Sequence, residues 1–240
     1  MQQRLPSLRD VPVAFAHRGA RLHAPENTVA AFALALEWGA TGLESDVWAT
    51  ADGAAVLDHD GVIRSRFRSR SIGSVLLRDL PDHIPTFSRV ACMAEGSFEF
   101  SLDVKSPEAV GPLGAAVTSS GFPAGRLWLC SPSLDVLERC RAAVPGANLV
   151  HSTRTDRLGV SLETHLSRLR ELGVDVLNLH NSEWSGGRVA LAHRFGILAF
   201  SWDLQHEEPL VTALRMGVDG VYSDDVPMMM KVHARETARA

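Results

Sequence analysis

The chain has 240 residues, of which 45% are hydrophobic and 22% charged, and its formal net charge is −4. Apolar runs stay shorter than the roughly 20 residues that cross a membrane, so we expect no stable membrane insertion. The slightly acidic balance disfavours nucleic acid as the main partner. The N-terminal residues lack the apolar stretch of a signal peptide, which makes the cytoplasm the expected location. The sequence leaves the oligomeric state open.

Apolar, strand-like runs alternate with helix-like segments along the whole chain. The strand candidates are residues 13–16, 42–47, 98–104, 126–130, 147–151, 175–179, 197–202 and 219–222. The helix candidates are residues 28–38, 87–95, 107–120, 133–143, 161–172, 184–195, 206–216 and 226–236. Short strands rich in Val, Leu, Ile and Phe are typical of a sheet that is buried on both faces. Strands that each precede a helix predict a closed (β/α)8 TIM barrel, with residues 1–240 as a single domain.

A doubly wound open sheet is the alternative architecture for this alternating pattern. No G-x-G-x-x-G motif follows the first strand candidate, which disfavours the open sheet. The helix boundaries agree with the residues found there. Asn27 or Thr28 can cap the first helix, and glycines follow three helix ends. These glycines are Gly39, Gly173 and Gly217.

One connection is much longer than the usual loop of a barrel. About 40 residues separate the second strand from the helix near residue 87. The piece 54–57 is a candidate short strand, and we expect residues 61–86 to form a small excursion over the barrel mouth. The arginines of this segment include Arg64, Arg66, Arg68 and Arg70. A solvated loop and a positive rim that attracts an anionic substrate are both compatible with this basic run.

Two carboxylates, Glu44 and Asp46, lie at the end of the second strand candidate. Side chains two residues apart on a strand point to the same face, and the carboxyl ends of barrel strands form the rim where active sites lie. Neighbouring carboxylates repel each other unless a cation lies between them. A hard ion such as Mg²⁺ or Ca²⁺ is the natural partner of such oxygens. A solvated strand end is the competing interpretation of this pair alone.

Further polar groups follow the neighbouring strands. His17 ends the first strand candidate, and His59 follows the short piece 54–57. Asp103 and Lys105 repeat the two-residue spacing at the end of the third strand. Consecutive strands are neighbours in a barrel, so these groups are expected to converge. Only two lysines occur in the chain against 22 arginines, which suggests a specific role for the compact ammonium of Lys105.

The remaining cysteines and histidines receive structural interpretations first. The three cysteines, Cys92, Cys130 and Cys140, form no C-x-x-C pair and are expected to be packed rather than to bind zinc or form disulfides. His151 and His180 close the fifth and sixth strand candidates, and a place at the barrel mouth is the alternative for both.

Several stretches in a fixed order extend this set. They are His17-Arg18-Gly19, Pro25-Glu26-Asn27-Thr28, Gly39-Ala40-Thr41-Gly42-Leu43-Glu44-Ser45-Asp46-Val47, Thr50-Ala51-Asp52-Gly53, His59-Asp60, Ile84-Pro85-Thr86-Phe87 and Gly217-Val218-Asp219-Gly220-Val221-Tyr222-Ser223-Asp224. In this order and spacing they resemble the glycerophosphodiester phosphodiesterase family. The likeness is dense over residues 13–105 and returns near 190–227.

The resemblance implies a barrel with one divalent metal ion, Mg²⁺ or Ca²⁺, at its mouth. The implied reaction is hydrolysis of glycerophosphodiesters to glycerol 3-phosphate and an alcohol. The catalytic histidines that it implies are His17 and His59. The metal ligands that it implies are Glu44, Asp46 and Asp103. Which histidine acts as the acid, and whether water or a substrate hydroxyl attacks, stay open.

The resemblance also assigns residues that bind the substrate. Arg18 and Lys105 would hold phosphate oxygens, and Trp202 would shape the substrate pocket. The chain departs from the family at two places. Asp103 replaces the more usual Glu of the third ligand, and Asp203-Leu204-Gln205 replaces the frequent Thr-Val-Asn after the aromatic residue.

Two other functions remain as alternatives at this point. A lysophospholipase D-like activity on lysophospholipids requires an exposed apolar entry, which the sequence does not plainly contain. A barrel that binds phosphodiesters without turnover belongs to another class, and the intact pair His17 and His59 argues against it.

Overall fold

The computed structural model describes residues 4–64 and 68–238, so Arg66 of the basic run lies outside the described residues. Its strands are β1 (Val13–His17), β2 (Gly42–Ala49), β3 (Ala55–Leu57), β4 (Val62–Arg64), β5 (Ser69–Ser71), β6 (Glu99–Val104), β7 (Leu127–Ser131), β8 (Asn148–Ser152), β9 (Val176–His180), β10 (Leu198–Trp202) and β11 (Gly220–Ser223). Its α-helices are α1 (Val29–Glu37), α2 (Phe87–Ala91), α3 (Val110–Ser120), α4 (Leu134–Ala143), α5 (Leu162–Glu171), α6 (Gly186–Arg194), α7 (Glu207–Arg215) and α8 (Val226–Thr237).

The parallel strands β1, β2 and β6 to β11 close on themselves. Each pairs with the next strand along the chain, and β1 pairs with both β11 and β2. An open sheet has two unpaired edges, so this double pairing excludes the doubly wound alternative. The predicted (β/α)8 TIM barrel is therefore confirmed, and the helices lie between its strands.

One predicted helix and one predicted cysteine environment differ from the structure. The helix expected over residues 87–95 ends at Ala91, because Ala94 and Glu95 have left-handed backbone angles of φ 44° and 53°. Such angles are uncommon for residues other than glycine and break the helical hydrogen bonding. Cys92 at this end is exposed, so its predicted packing is wrong, whereas Cys130 and Cys140 are buried.

Aromatic side chains fill the interior of the barrel. The ring of Phe15 stacks on Tyr222 with their centroids 4.7 Å apart, and Phe200 lies 5.7 Å from Phe15. A Cβ atom at Gly42 would lie 2.5 Å from the Phe15 ring, so glycine leaves the space that this ring occupies. Burial of each large aromatic side chain contributes about 1.5–3 kcal/mol. These rings close the centre of the barrel and leave its mouth open.

The opposite end of the barrel is held together by Asp219, which is fully buried. Its carboxylate accepts hydrogen bonds from Ser7 Oγ (2.6 Å), Leu8 N (2.7 Å), Ala199 N (2.8 Å) and His193 Nε2 (2.8 Å). Burial alone would raise the pKa of Asp219, but the hydrogen bonds from His193 and Ser7 hold that pKa below its ordinary value. The N-terminal segment is thereby fastened to the last strands.

The long connection after β2 has secondary structure of its own. Strand β3 pairs antiparallel with the end of β2, and β4 pairs antiparallel with β5. Val56, Ile72 and Ile84 form a small apolar cluster beneath these strands. That residues 61–86 cover the barrel mouth stays a prediction. Among the described residues, no helix combines the length and the apolar character needed to span a membrane.

Candidate active site

Three carboxylates meet where β2 and β6 end. Strand pairing places Asp46 directly beside Asp103, and Glu44 lies two residues earlier on the same face of β2. One carboxylate oxygen of each residue lies within 4.8 Å of the others. Glu44 and Asp46 are buried, with 6% and 3% of their surface exposed. The sequence-predicted ligand set is thus a single cluster at the mouth.

The protein alone does not balance the charge of this cluster. Burial, together with the charges of Asp46 and Asp103, outweighs the charge of His17 and raises the pKa of Glu44 to about 8. Burial also raises the pKa of Asp46, although the ammonium of Lys105 lies 2.7 Å from Asp46 Oδ1. The other oxygen, Asp46 Oδ2, is buried and has no hydrogen-bond partner among the residues that the structure describes.

These observations test whether the residues fit a divalent cation. A buried carboxylate oxygen without a donor is costly, and a cation removes that cost. Every atom of the cluster is a hard oxygen donor, the kind that Mg²⁺ and Ca²⁺ prefer. The donor set and the unpaired Asp46 oxygen therefore fit such an ion.

His17 ends β1 beside this cluster, in register with Glu44 on β2. Its Nδ1 lies 2.6 Å from Asp224 Oδ1, and its Nε2 lies 3.7 Å from Glu44 Oε2. A carboxylate only accepts hydrogen bonds, so Nδ1 is the donor to Asp224 and the ring is held with Nε2 toward the cluster. Burial lowers the pKa of His17, but the charge of Glu44 and the hydrogen bond to Asp224 outweigh it and raise the pKa overall.

His59 lies near the cluster, where its charge lowers the pKa of Asp46. It follows β3, whose Leu57 pairs with Val47, and Asp58 N donates to the Asp46 carbonyl (3.1 Å). The Nδ1 of His59 lies 2.8 Å from Asp60 Oδ1, an arrangement like that of His17 with its aspartate. The side chain of His59 is 38% exposed, so it reaches solvent.

Arg18 connects the first loop with the carboxylates. Its backbone has φ 55°, which turns its N–H toward Glu44 Oε2 at 3.0 Å. Its guanidinium donates to Glu26 Oε1 (3.0 Å), and its Nε lies 3.9 Å from Asp46 Oδ2. A non-glycine residue in this conformation is strained by about 1–3 kcal/mol, as is often found at functional sites.

A cavity of about 330 Å³, the first cavity, opens beside the carboxylates. The residues that line it include His17, Arg18, Glu44, Asn178, Asp203 and Gln205. Trp202 forms part of its wall, and the buried indole N–H of Trp202 has no hydrogen-bond partner among the described residues. Polar acceptors and an unpaired donor make this cavity suited to a small hydroxylated group.

The contact of Asp224 with His17 did not follow from the sequence, which assigned Asp224 no role at the site. Asp224 follows β11, and barrel closure brings it to His17, 207 residues earlier. Gln205 Oε1 accepts from Asp224 N at 2.9 Å and holds it there. Its position just after the last strand was the available signal, because that strand must neighbour the first in a closed barrel.

The two histidines with open interpretations differ in the structure. His151 is buried against His165 of α5 (Nδ1 to Nε2, 3.1 Å), and its Nε2 lies 3.2 Å from the carbonyl oxygen of Pro132. His180 lies beside the mouth, where its Nε2 is 3.0 Å from Asp203 Oδ2 and its ring packs against Trp202.

The barrel and the carboxylate cluster at its mouth define a TIM-barrel protein whose candidate active site lies at the carboxyl ends of its strands. A sequence model of the glycerophosphoryl diester phosphodiesterase family matches residues 17–228. The chain belongs to this family of phosphoric diester hydrolases.

Individual relatives agree with this assignment. The glycerophosphodiester phosphodiesterase of Caldanaerobacter subterraneus is 25% identical over 236 residues, which cover 89% of this chain and 94% of the relative. The glycerophosphodiester phosphodiesterase of Thermotoga maritima has a similar structure (TM-score 0.80, 24% identity), covering 92% of this chain and 98% of that chain. A phosphodiesterase of Oleispira antarctica, solved with the product sn-glycerol-3-phosphate, has a TM-score of 0.81 at 21% identity, covering 92% and 96%.

Proposed function

We propose that this protein hydrolyses glycerophosphodiesters to sn-glycerol 3-phosphate and an alcohol. The observation that carries the proposal is a cluster of carboxylates at the barrel mouth with two histidines beside it, each held by an aspartate: His17 lies 3.7 Å from Glu44, and the charge of His59 acts on Asp46. The family match and the product bound by the Oleispira antarctica relative support the same substrate class.

The histidines perform the proton transfers of the reaction. His17 and His59 supply one proton acceptor and one proton donor, and their aspartates keep the Nε2 atoms free for these transfers. The acceptor removes a proton from the attacking oxygen as that oxygen bonds to phosphorus. The donor protonates the alkoxide as the bond from phosphorus to the alcohol oxygen breaks. No net proton is gained or lost by the pair.

The cationic side chains hold the phosphate group between the histidines. We assign phosphate oxygens to Arg18 and Lys105, which already contact the carboxylates of the cluster. Their positive charge stabilises the negative charge on the phosphoryl oxygens in the transition state. Because carboxylates orient both groups, little reorganisation is needed when substrate binds.

Glu44, Asp46 and Asp103 would hold a divalent cation, Mg²⁺ or Ca²⁺. The chemistry that such an ion supplies is neutralisation of charge on the phosphoryl group. Asp103 has one methylene fewer than the family's usual Glu, so its oxygen stands closer to its own strand. Its ion pair with Lys105 (3.2 Å) ties the carboxylate and the phosphate-binding cation together.

Replacement of the histidines tests the proposal. We expect His17→Ala and His59→Ala each to lower kcat for glycerophosphocholine by roughly 10²–10⁴-fold, as found for general acid and base groups. Circular dichroism and thermal unfolding should show that both variants remain folded. His83→Ala is the matched control, since His83 is exposed and, among the described residues, is not one of those that line the cavity at the site. Wild-type turnover in either site variant would refute this assignment.

A further inference from the structure

A second cavity adjoins the first on the far side of Trp202. Its volume is about 570 Å³, and it lies among the loops that follow β6, β7 and β8. Four residues line both cavities: Asp103, Cys130, Ser152 and Trp202. The shared wall therefore includes Asp103 of the carboxylate cluster, next to which the phosphate is placed.

A phosphodiester has two ester arms, and two cavities that meet at the phosphate site accommodate one arm each. The first cavity has Asp203 and the neutral polar groups of Asn178 and Gln205 on its wall. These groups suit the hydroxyls of glycerol, and the carboxylate of Asp203 repels a second anion. Since the glycerol arm fits the first cavity, the alcohol arm of the phosphodiester is assigned to the second cavity.

The second cavity is rich in cationic side chains. Those on its wall are Lys105, Arg154 and Arg157, against the single carboxylate of Asp103. Lys105 is engaged by Asp46 and Asp103, which leaves the two arginines to set the potential of the outer part. The N-terminus of α4, capped by Ser133, also lies on this wall and adds the positive end of its helix dipole.

The two arginines differ in how they are held. Arg154 lies over the Trp202 ring at 5.8 Å from its centroid, and its Nε pairs with Glu183 at 2.9 Å. This contact fixes its guanidinium at the wall but partly neutralises its charge. Arg157 is exposed on the short turn Thr155–Arg157 and has no ion pair within the described residues. Arg157 is thus available to an incoming anion.

We infer that the second cavity is a subsite for the alcohol arm of the substrate and selects glycerophosphodiesters whose alcohol carries a negative charge. This inference rests on the proposed function, because it assigns one arm of the same substrate. The chemical class is a glycerophosphodiester with a second phosphate on its alcohol. Arg157 is a specificity-determining residue that contacts this group, and Arg154 forms the fixed wall beside it.

A matched pair of substrates tests the inference. Glycerophosphoinositol 4-phosphate and glycerophosphoinositol differ only in one phosphate on the alcohol arm. We expect kcat/KM for the phosphorylated compound to be about fivefold higher at low ionic strength, with the ratio falling as salt screens the contact. Arg157→Glu turns attraction into repulsion and should lower this ratio about tenfold.

Arg194→Glu is the control, since it makes the same charge change on an exposed arginine at the other end of the barrel. It should leave both the activity and the ratio unchanged. Equal kcat/KM values for the two substrates, an unchanged ratio in Arg157→Glu, or an equal fall in Arg194→Glu would each overturn the subsite. Absence of hydrolysis with every glycerophosphodiester would instead overturn the proposed function.

Discussion

Asp219 at the bottom of the barrel and Asp46 at its mouth are both buried carboxylates, but they differ in their hydrogen bonds and in the direction of their pKa shifts. Asp219 accepts hydrogen bonds from three backbone N–H groups, a serine and a histidine, and its pKa is held below the ordinary value. Asp46 has an oxygen that accepts no hydrogen bond from the described residues, and burial raises its pKa despite the contact with Lys105.

This difference in hydrogen bonding distinguishes a carboxylate that stabilises the fold from one that is suited to bind a ligand. Folding must supply donors to a buried charge, or the charge destabilises the folded state. At Asp219 the chain supplies them, so this residue contributes to stability by itself. At Asp46 one oxygen lacks a donor among the described residues, and together with the two neighbouring carboxylates it could hold a cation. The mouth is therefore organised for a ligand, and the bottom for the fold.

The largest effect expected from this comparison is on stability at the bottom of the barrel. Asp219→Asn places an amide N–H₂ group among the donors that now point at the carboxylate. We expect the free energy of unfolding to fall by about 3–5 kcal/mol, as measured by urea denaturation. Asp82→Asn on the exposed excursion is the control and should change it by less than about 0.5 kcal/mol. A loss below about 1 kcal/mol in Asp219→Asn would contradict the structural role of this network.

A third buried arrangement, the neutral pair His151 and His165, extends the comparison to protons. Burial and the neighbouring His165 together lower the pKa of His151 from 6.5 to about 4. In the unfolded chain, this histidine therefore takes up a proton near pH 6.5. In the folded chain, it takes up that proton only near pH 4. Stability from this group is complete above pH 6.5 and is lost as the pH falls toward 4, by about 3 kcal/mol.

Urea denaturation between pH 7.5 and 4 measures this loss directly. We expect His151→Gln to reduce the acid-dependent fall in unfolding free energy, because glutamine does not titrate. His206→Gln is the control, since His206 is exposed and its side chain caps no backbone group. If the pH profiles of wild type and His151→Gln run parallel, the proton uptake belongs to other groups.

Much of the fold and half of the site followed from local patterns. Apolar runs of strand length and glycines after helices predicted the barrel, because both signals depend on neighbours in sequence. Glu44 and Asp46 were predicted at the mouth because period-two spacing and the direction of one strand suffice to place them. In the structure, they meet Asp103 through the pairing of consecutive strands.

The rest depended on contacts between distant parts of the chain. Asp224 reaches His17 only because β11 closes the barrel against β1. The contact of Arg154 with the Trp202 ring joins the loop after β8 to the end of β10, which no local pattern relates. Cys92 is exposed because two residues beyond it adopt left-handed angles, which no sequence preference for alanine or glutamate predicts.

The smallest of the expected effects tests the mouth itself. If the carboxylates at the mouth bind a cation, Mg²⁺ or Ca²⁺ at 100 times its Kd should raise the unfolding free energy of the wild type by about 2.7 kcal/mol. Asp46→Asn should abolish that increase, which urea denaturation with metal and with excess chelator measures without reference to turnover. Glu26→Gln is the control, because Glu26 pairs with Arg18 and Arg21 but lies outside the cluster.

The same variant completes the comparison with Asp219. In chelator, Asp46→Asn should change the unfolding free energy by no more than about 1 kcal/mol, because removal of a desolvated charge offsets the lost contact with Lys105. Asparagine at position 219 is expected to be several times more destabilising although both aspartates are equally buried. Equal losses at the two positions, or metal stabilisation retained in Asp46→Asn, would mean that the mouth carboxylates serve the fold rather than a cation.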